Sequence, residues 1–269
     1  MQEILRQLQL IVKQHAAEQI LSRYNQVPYR LKNDGSLVTE ADSAMQIAMI
    51  NSLNQCWPDY AILGEEMSAE QQQALLQNSP EGLWVLDPLD GTSNFASGLP
   101  IFSVSIALLI QNEVVLGMVY DPLRNEVFTA IKGEGAWLNG SELACGSERE
   151  SLSECIAQLD FKRLKPEMRA CLARDHAFAS QRNFGSGALD WCWLAAGRSQ
   201  IYIHGGQKLW DYAAGQLIFD EAGGLARTLQ GEQVSAMSLE PRSVIASVSQ
   251  GLYQQLQAYL ASLECDKEV

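Results

Sequence analysis

Asp87 and Asp90 stand three residues apart in Asp87-Pro88-Leu89-Asp90-Gly91-Thr92, directly after the apolar run Leu83-Trp84-Val85-Leu86. Pro88 stiffens the connection and disfavours a helix that begins before Asp87, so both carboxylates can face one cleft. Gly91 permits an unusual backbone angle or the close approach of a ligand, and Thr92 adds a hydroxyl and an amide that can open a helix or turn. Such a segment can cradle phosphate beside a metal ion, although in isolation it reads equally well as a turn. Further acids shift the balance. Glu65 and Glu66 follow the short apolar piece Ala61-Ile62-Leu63, Asp211 opens a helix that carries Ala213, Ala214, Leu217 and Ile218, and Asp42 lies at the third position of a helix begun by Thr39. Each has a plainer role available: a solvated loop, a helix-dipole charge, half of a capping box. If they converge, each pair at about 4 Å repels by about 4 kcal/mol at an effective dielectric of about 20, and a divalent cation relieves the strain. An all-oxygen set suits magnesium, manganese or calcium rather than zinc or copper, and phosphate transfer favours magnesium.

The elements that must position these acids are readable from periodicity. Ile4, Leu8, Ile11 and Val12 predict an amphipathic helix running to about Tyr24 and ended by Val27-Pro28; Thr39 caps a second helix with Met45, Ala48, Met49 and Leu53 on one face. Alternating apolar residues from Phe102 to Ile110, with partners at 114–120 and 126–130, predict an antiparallel meander. Beyond residue 146 the texture changes to strands near 155–159, 201–203 and 244–246, alternating with helices near 166–174, 187–196, 211–222 and 251–263. The reading is therefore an α+β N-terminal half, 1–145, holding most of the acids, and an α/β C-terminal half, 146–269, holding Asp211, packed as one body.

With 269 residues, 47% hydrophobic and 19% charged, the chain has the usage of a folded globular protein. A formal charge of -13 argues against a large nucleic-acid footprint but is compatible with a metal site. The most apolar run, 101–110, is too short to span a bilayer, so no membrane partner is expected. The six cysteines (56, 145, 155, 171, 192, 265) lack paired short spacing, which fits reduced thiols and a cytoplasmic location.

At these residues the chain resembles the inositol monophosphatase family of lithium-sensitive, magnesium-dependent phosphatases. The resemblance rests on Gly64-Glu65-Glu66, on Trp84 through Phe95, on Gly133-Glu134-Gly135-Ala136 and Leu138-Asn139-Gly140, and on Trp210-Asp211-Tyr212-Ala213-Ala214-Gly215 leading to Glu221-Ala222-Gly223-Gly224. It implies a layered α-β-α-β-α sandwich and a homodimer. It also implies that Glu65, Asp87, Asp90, Asp211 and the Leu89 carbonyl hold two or three magnesium ions. Catalysis would fall to Glu65 and to Thr92 with Asp42, which activate the attacking water; Asp90, Gly91, Thr92, Ser186 and Asp211 would meet phosphate or substrate. Lys32 is a further candidate near the phosphate. His204 stands where inositol-hydrolysing members carry a glutamate seven positions before the last aspartate ligand, so it is placed in the substrate pocket while inositol specificity stays open. The implied activity is hydrolysis of a small phosphate monoester: inositol-1-phosphate or a related polyol, sugar or amino-alcohol phosphate, with histidinol phosphate and fructose-1,6-bisphosphate as alternatives. A haloacid-dehalogenase-like mechanism fits less well, because it needs its two aspartates two apart and residue 88 is proline. A regulatory or scaffold protein retaining the phosphatase fold is the reading from another class.

Overall fold

The computed structural model describes residues 1–26, 29–31, 37–79, 81–234 and 238–263. Val27, Pro28, Lys32 and Cys265 lie outside the described residues. The chain begins with α1 (Gln2–His15), which runs on through a wide π turn at Ala16–Ile20 and a tight 3-10 turn at Leu21–Arg23, as long as the apolar periodicity predicts. An antiparallel pair, β1 (Tyr29–Leu31) and β2 (Leu37–Thr39), leads into α2 (Glu40–Cys56). The predicted cap forms: the Thr39 hydroxyl accepts from the Ala41 amide at 3.1 Å, and the Asp42 carboxylate accepts from the Thr39 amide at 2.7 Å.

Next come β3 (Ala61–Gly64), α3 (Ala69–Asn78), β4 (Leu83–Asp90), the short α4 (Thr92–Ala96), and the meander β5 (Ser103–Ile110), β6 (Glu113–Asp121) and β7 (Glu126–Ile131), extended by β8 (Ala136–Leu138) and β9 (Ser141–Leu143). These strands form a seven-stranded sheet in the order β3 to β9, antiparallel except for the parallel β3–β4 pair. Strand alternation sends Trp84 and Leu86 to one face, where they meet Leu8, Val12, Met45 and Met49 of α1 and α2. Leu83 and Val85 go to the other face.

The C-terminal elements are β10 (Ile156–Asp160), α5 (Pro166–Arg174), β11 (Ser180–Arg182), α6 (Gly187–Ala195), β12 (Ile201–Gln207), α7 (Leu209–Glu221), β13 (Leu225–Arg227), β14 (Arg242–Ser247) and α8 (Gln250–Ser262). Their five strands form a mixed sheet in the order β11-β10-β12-β14-β13. Helices α6 and α7 pack against each other between the two sheets, with α7 lying on β5, β6 and β7 and α6 on β12, while α8 covers β14. Helices α1 and α2, the first sheet, α6 with α7, the second sheet and α8 are thus the five layers of the α-β-α-β-α sandwich. The α6 and α7 layer is apolar nearly all round, from Ala188 to Ala195 and Trp210 to Phe219, because sheets cover it on both sides.

Candidate active site

All eight residues of β4 are buried, and the strand continues past Leu86 to Asp90, further than the expectation of a strand ended by Asp87. The register with β5 slips between Asp87 and Asp90, where Pro88 lacks a ladder donor. That irregularity turns both carboxylates toward one cleft. Asp87 accepts from the Leu89 amide at 3.0 Å, an Asx turn that holds its side chain back over its own backbone. Gly91 then reverses the chain in the left-handed region (φ 89°); an added Cβ there would stand 2.9 Å from the Ile101 carbonyl, so both the angle and the space call for glycine.

Asp90 is held from the other half of the chain. Its carboxylate accepts from the Ser186 hydroxyl at 2.6 Å and from the amides of Gly187 (3.2 Å) and Ala188 (2.8 Å) at the start of α6. Ser186, placed by the family resemblance beside the substrate, therefore braces the acid directly. Asp211 enters at the third position of α7, accepting from the Lys208 amide at 2.8 Å. Ser105, the β5 register partner of Asp87, donates to the Trp210 carbonyl at 2.9 Å and pins the start of α7 beside β4. Carboxylate oxygens of Asp87, Asp90 and Asp211 consequently lie within 4.8 Å of one another. Glu65 follows β3, its amide bonded to the Leu86 carbonyl at 3.1 Å, and it lines the same cleft with Leu89, Gly91 and Thr92.

The electrostatics are those of crowded acids. Burial, then repulsion from Glu65, Asp90 and Asp211, holds Asp87 well above the ordinary carboxylate range. Burial also lifts Asp90, to about 6, against the hydrogen bonds from Ser186 and Ala188 that pull it down. Asp211 is raised by desolvation of its carboxyl at the cleft floor, although the residue as a whole is only half-buried, and by Asp90 and Glu65. Among the described residues no lysine or arginine ion-pairs with Asp87, Asp90 or Asp211. Closely spaced oxygen donors that hold one another's pKa above the ordinary range fit a hard divalent cation.

Beside them, the Thr92 hydroxyl lies 2.9 Å from Asp42 Oδ1 and 3.0 Å from the Leu89 carbonyl. The second oxygen of Asp42 accepts from the Thr39 hydroxyl at 2.6 Å, so the capping acid of α2 also reaches the site. Burial raises its pKa against these hydrogen bonds. Asn94 donates to the carbonyls of Ile101 (2.8 Å) and Phe184 (2.7 Å), fastening α4 to the loop before α6.

The cleft, of about 300 Å³, also contains residues that sequence reasoning passed over: Asp160, Lys162, Arg163, Asn183 and Asp190. Asp190 carried a readable signal, since it is the one charged residue in the otherwise apolar α6. His204 does line the cleft, but both ring nitrogens are engaged: Nδ1 accepts from the Gly206 amide at 3.0 Å and Nε2 lies 2.9 Å from Asp160.

Two sheets interleaved with helices around a cluster of acidic oxygens that could hold a metal ion define a layered α/β protein. The sequence profile of the inositol monophosphatase family matches residues 1–265, and the chain belongs to that family. It is 43% identical over 208 residues to the Pasteurella multocida protein named Nus factor SuhB, covering 75% of each chain. It is 39% identical over 219 residues to inositol monophosphatase 2 of Solanum lycopersicum, covering 78% of this chain and 80% of that one. The solved structure of the Thermotoga maritima IMPase superposes with a TM-score of 0.83 over 96% of each chain at 29% identity. Among the described residues no helix is long and apolar enough to cross a membrane.

Proposed function

We infer that this chain hydrolyses a small phosphate monoester with a divalent cation, magnesium by the donor chemistry. The observation that carries the reading is the convergence of Asp87, Asp90 and Asp211 oxygens within 4.8 Å of one another. These three, with Glu65 and the Leu89 carbonyl, would hold two or three ions; a bound cation neutralises phosphate charge and makes water more acidic. The chain's own part is positioning and proton transfer. The amides of Gly91 and Thr92 would meet phosphate oxygens at the tight turn after β4. The Thr92 hydroxyl would take a proton from the attacking water while passing its own to Asp42 Oδ1, 2.9 Å away. Burial raises the pKa of Asp42, which suits it to keep that proton. Displacement by water in line with the leaving alcohol needs no phosphoenzyme.

A cleft of about 300 Å³ admits a small ester rather than a polymer. The substrate class is a polyol, sugar or amino-alcohol phosphate, including inositol-1-phosphate and histidinol phosphate. Lithium inhibition, a homodimer and a cytoplasmic location belong to the same reading. A phosphate-release screen over such esters tests it: magnesium-dependent release, inhibited by lithium and lost in Asp211→Asn, is expected. Full activity in chelator, or cleavage of nucleotide bisphosphates alone, would overturn it.

A second reading takes its support from the Pasteurella relative, whose name is that of a Nus factor. In it the chain acts through a macromolecular partner on the same fold. Partner capture that survives Asp87→Asn, with no ester hydrolysed by the wild type, would favour this role over catalysis.

A further inference from the structure

The leaving-alcohol side of the cleft is built differently from what His204 suggested. Asp160 ends β10 and His204 lies on β12 as its register partner in a parallel pair. An imidazole that accepts at Nδ1 can donate only at Nε2, so the Gly206 amide at 3.0 Å commits His204 to donating toward Asp160 at 2.9 Å. Neither ring nitrogen has capacity left for a substrate hydroxyl. The exposure of the two side chains agrees: 9% for His204 against 20% for Asp160, which therefore forms the solvent-facing member of the pair. Asp160 Oδ1 also accepts from the Lys162 amide at 2.8 Å. One lone pair on each of its oxygens is still open, because a carboxylate offers about four acceptor positions and two are used.

A second acceptor stands deeper. Asp190 on α6 is 6% exposed, lines the same cleft, and has one carboxyl oxygen, Oδ1, without any hydrogen-bond partner. Its contact within the protein is the Tyr202 phenol, itself held by Gln207 Nε2 at 2.6 Å. Asp190 interacts electrostatically with both Asp90 and Asp160 and lines one cleft with them. A buried polar atom without a partner is costly unless a ligand or water completes it. Positive charge borders this side of the cleft. Lys162 and Arg163 line it, and Arg163 acts on both Asp160 and Asp211. Their loop is fixed in place by Gly205, where an added Cβ would run into the Arg163 carbonyl and the backbone beyond it. Asp160, whose charge Arg163 offsets, suits a neutral hydroxyl better than an ammonium group.

We propose that Asp160 and Asp190 form the subsite that recognises the leaving alcohol, that its ligand is a polyhydroxylated alcohol, and that His204 is a positioning residue for Asp160. The acid expected on β12 has in effect moved one strand over to β10. This rests on the phosphomonoesterase reading above, and the test separates the two. Steady-state kinetics with magnesium would compare myo-inositol 1-phosphate with p-nitrophenyl phosphate, whose leaving group has no second hydroxyl. Asp160→Asn and Asp190→Asn should each raise KM for the polyol ester tenfold or more with a small change in kcat. The aryl ester should lose less than the polyol ester in both, and the activity that remains on it also shows that the variants fold. His204→Gln, which can still donate to Asp160, should stay close to wild type, whereas His204→Ala should move partway toward Asp160→Asn. An unchanged polyol-to-aryl ratio in Asp160→Asn would overturn the subsite. So would a His204→Gln defect as large as that of Asp160→Asn, which would make the imidazole the reader. Preference for an amino-alcohol phosphate over the polyol ester would overturn the ligand class. Hydrolysis of neither ester by the wild type would remove the phosphomonoesterase reading, and this proposal with it.

Discussion

Removing a buried charge from a functional site usually destabilises a protein, but at Asp87 the sign should depend on metal. Asp87→Asn keeps the volume and keeps an oxygen that can accept from the Leu89 amide, now at 3.0 Å. What it removes is negative charge whose oxygen lies within 4.8 Å of those of Asp90 and Asp211. At an effective dielectric of about 20 each such pair repels by about 3 kcal/mol. Part of that cost is already avoided by protonation, since burial and Glu65 hold Asp87 well above its ordinary pKa. The net gain from the substitution in metal-free protein should therefore be about 1–3 kcal/mol. For a chain of this size that is a rise in Tm of roughly 2–10 °C. Magnesium at a hundred times its Kd stabilises a binding-competent protein by about 2.7 kcal/mol and a non-binding one not at all. Thermal denaturation in EDTA and in magnesium should thus show the order of the two proteins narrowing or reversing: variant above wild type without metal, wild type alone shifted upward with it. A metal-free variant less stable than wild type, or one that keeps the full magnesium shift, would refute the reasoning.

Other outcomes follow from the same geometry. Asp90 is raised from an ordinary 3.8 to about 6, so its contribution to stability in EDTA is fully present below pH 3.8. That contribution is lost as pH rises through about 6; denaturant midpoints measured from pH 4 to 7 should fall, and should fall less in magnesium. Thr92→Ala deletes the hydroxyl 2.9 Å from Asp42, and should lower kcat by about 10²–10⁴ while shifting Tm little, as stopped assays on purified protein would show. Gly205→Ala forces the β12 bulge away from the Arg163 carbonyl and should cost about 1–3 kcal/mol in urea unfolding, with a raised KM.

Much of this architecture could be read before any coordinates. The meander declares itself because one residue in two faces a sheet surface, and α5 begins at Pro166, where proline is tolerated in a first turn. Glu65, Asp87 and Asp211 were legible because each follows an apolar run or opens a helix, and Asp90 because it stands three residues from Asp87 across Pro88. The short strands β11 and β13 were not, since three residues such as Ser180–Arg182 and Leu225–Arg227 carry no period and are strands through their neighbours alone. The extension of β4 through Pro88 was missed for a related reason: propensity argues against it, and the pairing of Asp90 with Ser103 overrides propensity. At the site, the family resemblance points to His204, which lines the cleft, but its partner is supplied by a different strand 44 residues earlier, and cross-strand pairing is invisible to local spacing. Ser186 shows the same limit, because its target Asp90 lies in the other half of the chain.

The claim that Asp87, Asp90 and Asp211 hold the cation on which phosphate release depends is tested most directly by calorimetric titration. Magnesium is added to EDTA-stripped protein, with phosphate release from myo-inositol 1-phosphate followed on the same samples. Heat of binding and activity should saturate together in the wild type, and both should vanish in Asp90→Asn. Unchanged activity in stripped protein, or magnesium binding by Asp90→Asn at wild-type affinity, would contradict the account.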